Sequence, residues 1–257
     1  MSKMQKSTDK TEEAGRIAQS AHIGLLVPPM EGAVPADAAV VYPELSFKAH
    51  GLGLQEMTPE GYDSVLEEVG RGAARLAEQG ASVVALMGTS LSFYRGLAFN
   101  AELEREIELR SGLPGLTMST AIIAACHAVG AQRLAVATAY TGVVNERLLA
   151  FLAQNGMEVV SLVALDILSI DAVHRVPDGE VTRVGREAFA QADRPDAILI
   201  SCGGLTTRPA VKILEADTGV PVITSPLAGL WATVAKGGQD PRVADEGYLF
   251  QQRFPTT

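Results

Sequence analysis

Ala197-Ile-Leu-Ile-Ser-Cys-Gly-Gly204 and Val83-Val-Ala-Leu-Met-Gly-Thr-Ser90 are two copies of one pattern. Each is a short apolar run that ends in small polar residues, which reads as a buried strand emptying into a loop. Aligned on their apolar residues, Leu199-Ile200-Ser201 falls on Ala85-Leu86-Met87, and Cys202 falls on Gly88. A paired site with a thiol on one side and a glycine in the mirror position implies chemistry at one face of a substrate.

The repeat extends outward from these two runs. His22-Ile-Gly-Leu-Leu-Val-Pro28 pairs with Arg133-Leu-Ala-Val-Ala-Thr-Ala-Tyr140, and Gly112-Leu-Pro-Gly-Leu-Thr-Met-Ser-Thr120 pairs with Gly219-Val-Pro-Val-Ile-Thr-Ser-Pro226. Between them lie helical stretches. One opens at Thr58 as N-cap with Pro59 at N1 and runs on through Val65, Leu66, Val69, Ala73 and Leu76 to a stop at Gly80. Others span 144–152 and 180–190, and apolar helices follow at 121–129 and 227–235. Strand, helix and strand in this order give parallel sheets covered on both faces. The expected fold is α/β, with two pseudo-symmetric domains, each a mostly parallel sheet flanked by helices, and the active site in the cleft between them. The expected division is a flexible tail over 1–20, a first domain over 21–131 plus 226–257, and a second over 132–225. The stretch 240–257 is polar and reads as peripheral.

Composition narrows the function. The chain has 257 residues, 47% hydrophobic and 20% charged, enough for a large core. A net charge of −9 argues against nucleic acid or anionic membranes as partners. Residues 1–19 contain no apolar core of a signal peptide, and no apolar run approaches the ~20 residues that span a bilayer. Two cysteines, Cys126 and Cys202, are too few for a disulfide framework, so free thiols in the cytoplasm are expected. Nothing in the sequence calls for an oligomer, and a monomer is favoured.

In parallel α/β sheets ligands collect beyond the carboxyl ends of the strands. Those ends read Pro28-Pro29, Gly88-Thr89-Ser90, Ser119-Thr120, Tyr140-Thr141, Cys202-Gly203-Gly204 and Thr224-Ser225. They hold small hydroxyls, glycines and one thiol, and no carboxylate, histidine or lysine. Thr89, Ser90, Tyr140 and the N–H groups of Cys202 and Gly203 are therefore candidates to bind a carboxylate and to stabilise one that gains a second charge. Helix capping alone would also explain the hydroxyls. Cys202 could merely fill space, as Cys126 does within its apolar helix. The Gly203-Gly204 pair and the strand-end position argue instead for a thiol that gives or takes a proton. A helix N-terminus would favour its thiolate and a neighbouring developing anion its thiol.

Other chemistries find no support. Gly51-Leu-Gly53 lacks a third glycine and follows no evident strand, so a dinucleotide site is not indicated. There is no P-loop, and Gly88-Thr-Ser90 is followed by Leu91-Ser92 rather than the glycine of a nucleophile elbow. His22, His50, His127 and His174 are scattered without metal spacing. Neither a metal nor an organic cofactor is expected.

Met87-Gly-Thr-Ser-Leu-Ser-Phe-Tyr-Arg-Gly96, Ala137-Thr-Ala-Tyr140 with Asn145-Glu-Arg147, and Ser201-Cys-Gly-Gly-Leu205 resemble the bacterial arylmalonate decarboxylases of the aspartate/glutamate racemase superfamily. Val27-Pro-Pro29, Val34-Pro-Ala-Asp37, Gly51-Leu-Gly-Leu54 and Thr58-Pro-Glu-Gly-Tyr62 extend the likeness over almost the whole chain beyond the tail. The resemblance implies cofactor-free decarboxylation of an α-aryl-α-alkyl malonate. It implies a dioxyanion hole from Thr89, Ser90, Tyr140 and the N–H groups of Cys202 and Gly203. An apolar wall of Val27, Pro28, Leu54 and Ile170 would face the departing carboxylate, with Tyr62 and Leu91 in the substrate pocket and room at Gly88 for the aryl group. Cys202 would protonate the enediolate. Racemases of this superfamily carry a second cysteine where this chain has Gly88, which argues against racemase or maleate isomerase activity. A related lyase or isomerase on another small dicarboxylate, and a non-catalytic carboxylate-binding protein, are the alternatives. Met57 and Val173 are expected near the pocket, where they would alter substrate size.

Overall fold

The computed structural model describes residues 22–255; the expected tail lies outside them. The chain forms two four-stranded parallel sheets. The first contains β1 (His22–Val27), β2 (Phe47–Gly51), β3 (Ala81–Leu86) and β4 (Gly115–Thr117), in the order β2-β1-β3-β4. The second contains β5 (Arg133–Thr138), β6 (Glu158–Ala164), β7 (Ala197–Ser201) and β8 (Val222–Thr224), in the order β6-β5-β7-β8. The α/β fold with two like sheets is thus the one the repeat implies.

Ladder register establishes the repeat residue by residue. Leu86 of β3 pairs with Leu26 on one side and Thr117 on the other. Ile200 of β7 pairs with Ala137 and Thr224 in the same way. Leu86 therefore corresponds to Ile200, and two residues further on Gly88 corresponds to Cys202. The strand-to-helix corners match as well. Thr117 and Thr224 each cap the following helix, accepting from Thr120 N and Leu227 N, a contact of about 1 kcal/mol. Glu108 accepts from the N–H of Gly115 at 3.2 Å, and its counterpart Glu215 accepts from that of Val222 at 3.1 Å. Gly112 and Gly219 close the preceding helices in the left-handed region, at φ 68° and 72°, where a side chain would be disfavoured.

The helices before the first crossover are α1 (Ala36–Val41), α2 (Pro59–Ser64), α3 (Leu66–Glu78), α4 (Thr89–Phe93), α5 (Leu97–Ser111) and α6 (Met118–Ala128). Those after it are α7 (Gly142–Gln154), α8 (Ile170–His174), α9 (Asp178–Gln191), α10 (Arg208–Thr218) and α11 (Ser225–Lys236). Helix α3 covers β1–β3 and α9 covers β5–β7. Helices α6 and α11 pack on each other between the sheets, and α11 touches β3, β4, β7 and β8. All ten residues from Ser225 to Val234 are buried. Gly229 permits this close approach, because a Cβ there would lie 2.9 Å from Met87 Cε.

Several details differ from the sequence reading, which anticipated three strands in each half and missed the edge strand β6. The helix expected over Thr58–Leu76 breaks at Val65 into α2 and α3, although Thr58 caps its start as anticipated, accepting from Gly61 N at 3.0 Å. Its apolar spacing is continuous, so periodicity alone could not reveal the break. Gly51 does end a strand, β2, whose residues are all half-buried and lack the apolar run of a central strand; no helix opens directly after it, so the dinucleotide motif remains unsupported. The stretch after residue 240 is not peripheral. Leu249 and Phe250 are buried, and Arg208 grips Glu246 through two bonds of 2.7 and 2.6 Å.

Candidate active site

The carboxyl ends of both sheets converge on a cavity of about 430 Å³. Of the residues expected at the site, Val27, Pro28, Ile170, Cys202 and Gly203 line it, together with Val173, Met87 and Met118, whereas Gly88, Thr89, Ser90, Leu91, Tyr62 and Tyr140 do not. The two halves are stitched across it. Glu56 and Ser169 form an antiparallel bridge, Met57 N donates to Leu168 O at 3.0 Å, and Ile170 N donates to Gln55 O at 3.3 Å. Leu54 sits under this seam with its N–H on Pro28 O at 2.8 Å, and Leu54 and Met57 are almost fully buried without lining the cavity.

Gly88 is the N-cap of α4, with an extended backbone at φ −120°. A Cβ there would meet Leu91 Cβ at 3.3 Å and Pro28 Cγ at 3.4 Å. Thr89 and Ser90 are the first residues of α4, where N–H groups lack intrahelical acceptors. The Thr89 hydroxyl donates to Met118 Sδ at 2.8 Å. Ser119 and Thr120 occupy the first turn of α6 rather than a strand end; Thr117 holds that position.

Beneath the cavity lies a buried phenol pair. Tyr140 is fully buried, its hydroxyl 3.3 Å from Ser201 Oγ. Its backbone is fixed by Asn145, which donates to Tyr140 O at 3.0 Å and accepts from Thr138 Oγ1 at 2.8 Å. Burial pushes its pKa well above the ordinary value, and the neighbouring Cys202 adds to this. Tyr62 is equally buried and packs on Tyr94 with a ring separation of 4.8 Å and a tilt of 53°. Burial raises its pKa; Ser90 is the hydroxyl beside it, and Cys202 is close enough to push it up further.

Cys202 follows the last ladder residue of β7, and the N–H groups of Cys202 and Gly203 have no carbonyl acceptor among the described residues. The thiol is buried, and burial pushes it up to about 11, offset in part by the N–H of Gly204, the Tyr140 hydroxyl and the N–H of Leu205. The sequence reading set a helix N-terminus against a developing anion; the largest effect is a third one, desolvation, which outweighs the loop's N–H groups and favours the thiol at neutral pH. Cys126 is also free and buried, in the last turn of α6, and burial pushes it up to about 12.

The strand-end census missed three ionisable residues. Glu31, Asp37 and His174 also line the cavity. They lie in the loop after β1, at the start of α1 and at the end of α8, beyond the few residues that directly follow a strand. The His174 ring lies against Gly204, 3.1 Å from where a Cβ on that glycine would stand. Asp37 is half-buried, and burial raises its pKa against the lowering effect of Arg208. Among the described residues there is no group of three or more His, Cys, Asp or Glu side chains that could hold a metal ion. Nor is any helix among them long and apolar enough to cross a membrane.

Comparison with known proteins places this geometry. The family model described as arylmalonate decarboxylase matches residues 23–250. An arylmalonate decarboxylase from Bordetella bronchiseptica is 49% identical over 221 residues, covering 86% of this chain and 92% of that protein. A maleate isomerase from Pseudomonas putida is 25% identical over 252 residues, covering 93% of this chain and all of that protein. Among solved structures, a glycine-to-cysteine, cysteine-to-serine double variant of arylmalonate decarboxylase in the liganded form superposes with a TM-score of 0.88 at 46% identity, over 90% of this chain and 99% of that one. With its match over nearly all the described residues, its two parallel sheets and its cleft with a single thiol, the chain belongs to the arylmalonate decarboxylase family and is a carboxy-lyase.

Proposed function

We propose that this chain converts α-aryl-α-alkyl malonates, without a cofactor, into single enantiomers of α-aryl carboxylic acids. One substrate carboxylate is held by the hydroxyls of Thr89, Ser90 and Tyr140 and by the N–H groups of Cys202 and Gly203, with the Tyr62 hydroxyl as a further donor. The other lies against Val27, Pro28, Leu54 and Ile170, where loss of its hydration favours departure as neutral CO₂. The electron pair of the breaking C–C bond passes into the held carboxylate, giving a planar enediolate with both charges on its oxygens. Donors fixed in a water-poor site stabilise that charge without reorganising, and removing one such donor typically costs about 10²–10³ in rate. The Cys202 thiol then gives its proton to the α-carbon from one face. The thiolate left behind regains a proton from solvent, and the product leaves as a monoanion.

The observation that carries this reading is the buried Cys202 thiol beside the Tyr140 hydroxyl in one half of the cleft, with Gly88 at the mirror position in the other half, followed there by Thr89 and Ser90. A racemase needs an acid or base on both faces; Gly88 offers none. Glu31, Asp37 and His174 line the same cavity, but none of them stands at the position in register with Cys202. Incubation of the purified protein with phenylmalonate, followed by CO₂ release, tests the proposal, with maleate as a parallel substrate. Turnover of phenylmalonate with maleate unchanged is expected. Binding of phenylmalonate without CO₂ release refutes the decarboxylase reading in favour of a carboxylate-binding protein, and conversion of maleate to fumarate refutes it in favour of an isomerase.

A further inference from the structure

We propose that Met118 and Ser119, in the first turn of α6, are positioning residues that grip Thr89 at its side chain and its backbone. The proposal rests on the reading above that Thr89 holds a substrate carboxylate. The Thr89 hydroxyl donates to Met118 Sδ at 2.8 Å, and Ser119 Oγ donates to the Thr89 carbonyl at 3.0 Å. Ser92 Oγ reaches the same carbonyl at 2.9 Å and lies 2.6 Å from Ser119 Oγ. Ser92, Met118 and Ser119 are each at most 1% exposed, so bulk water does not compete for these contacts. The start of α6 is itself fixed, because Thr117 accepts from Thr120 N at 3.2 Å and donates to Asn100 Oδ1 at 2.6 Å.

The two ends of the grip do different work. The serine pair has two protons for three contacts, so either both hydroxyls donate to the carbonyl or one relays through the other. In both arrangements the Thr89 carbonyl is engaged and the Thr89–Ser90 peptide plane is held. The N–H of a trans peptide opposes its C=O, so the Ser90 N–H points away from the serine pair. The sulfur acts on the side chain. A thioether is a weak acceptor, so a hydroxyl resting on it is oriented yet loses little when a carboxylate, a far stronger acceptor, arrives. The same sulfur lies 3.2 Å from where a Cβ on Gly203 would stand, and it lines the cavity. Met118 thus spaces the hydroxyl donor of one half against the N–H donor of the other.

A strong acceptor at this position would retain the Thr89 hydroxyl and withhold it from substrate. The test compares Met118→Gln with Met118→Leu, each alone and combined with Thr89→Val, and reads phenylacetate affinity by calorimetry. With Thr89 present, the Gln variant is expected to bind about tenfold more weakly than the Leu variant; with Thr89→Val the difference disappears. An equal difference in both backgrounds identifies a packing effect and overturns the proposal, as does no difference in either. A Thr89→Val variant that binds phenylacetate as tightly as the unaltered protein instead overturns the underlying reading of Thr89. The serine arm is independent of the methionine variants. Ser92→Ala and Ser119→Ala are each expected to lower kcat less than about threefold, because one hydroxyl remains on the carbonyl, and the double variant at least about thirtyfold. Losses that simply multiply refute the shared grip.

Discussion

Placing a second thiol opposite the first should convert one-sided protonation into two-sided proton exchange. Gly88→Cys is the perturbation, and the structure sets its cost. The backbone at Gly88 is extended, at φ −120° and ψ 94°, so a cysteine is not disfavoured there. The added Cβ would stand 3.3 Å from Leu91 Cβ, 3.4 Å from Pro28 Cγ and 3.5 Å from Leu91 Cδ2. The neighbours must give by a few tenths of an ångström, a crowding cost of about 1 kcal/mol at the low end of overpacking. Replacing a glycine recovers about 0.4–1 kcal/mol through the unfolded chain, so the net change in stability is small. With two competent thiols, the product ratio should fall from beyond about 100:1, equivalent to about 2.7 kcal/mol between the two protonation barriers, to within about 3:1. The assay follows α-deuterium incorporation and chirality when single enantiomers of α-arylpropionates are incubated in D₂O. The folded variant is expected to exchange and racemise both enantiomers, and the unaltered protein to do neither on the same timescale. A folded Gly88→Cys variant with no exchange refutes the mirror relation between the two positions.

Three further outcomes follow from other parts of the molecule. Alkylation of Cys202 by iodoacetamide should accelerate about tenfold per pH unit from pH 7 to 10 without a plateau, because the thiol is pushed up to about 11 and only its thiolate reacts; a plateau near pH 7 would mean a resting thiolate. His174→Gln should leave the enantiomeric purity of the product unchanged and lower kcat less than about threefold, since the imidazole lies against Gly204 at the cavity wall rather than in the hydroxyl cluster; loss of stereochemical control would make His174 the proton donor. Glu215→Ala should lower the unfolding free energy by about 1–3 kcal/mol, measured by denaturant titration, because it strips acceptors from the N–H groups of Val222 and Tyr248; an unchanged midpoint would show that these groups find water instead.

The parts of the fold that were legible in the sequence are those where burial leaves only one reading. Strands β3 and β7 are central, so their residues form continuous apolar runs, and the glycine stops and Thr–Pro cap obey local rules. Strand β2 escaped because an edge strand with every residue half-buried carries neither a run nor an alternation. The break at Val65 escaped because a change of helix axis leaves apolar spacing intact. Cys202 and Gly203 were legible as cavity residues because parallel sheets deliver ligands to their strand ends, whereas Thr89, Ser90 and Tyr140, named by the same rule, lie outside the cavity lining. The cavity's ionisable residues were not legible, since Glu31, Asp37 and His174 reach it through the path of loops. The resting state of Cys202 was equally out of reach: its sequence neighbours provide the N–H groups that favour thiolate, while the desolvation that wins comes from residues distant in the chain, Tyr140 and Tyr62 among those beside it.

The central claim is that Cys202 delivers the proton to a decarboxylated intermediate. Turnover of α-methyl-α-phenylmalonate in D₂O by the unaltered protein and by Cys202→Ala tests it most directly. The account requires CO₂ release and a single product enantiomer carrying one deuterium at the α-carbon. It also requires a loss of about 10²–10⁴ in kcat for Cys202→Ala, with phenylacetate affinity changed less than about threefold. A Cys202→Ala variant that retains full rate and full enantiomeric purity would contradict it.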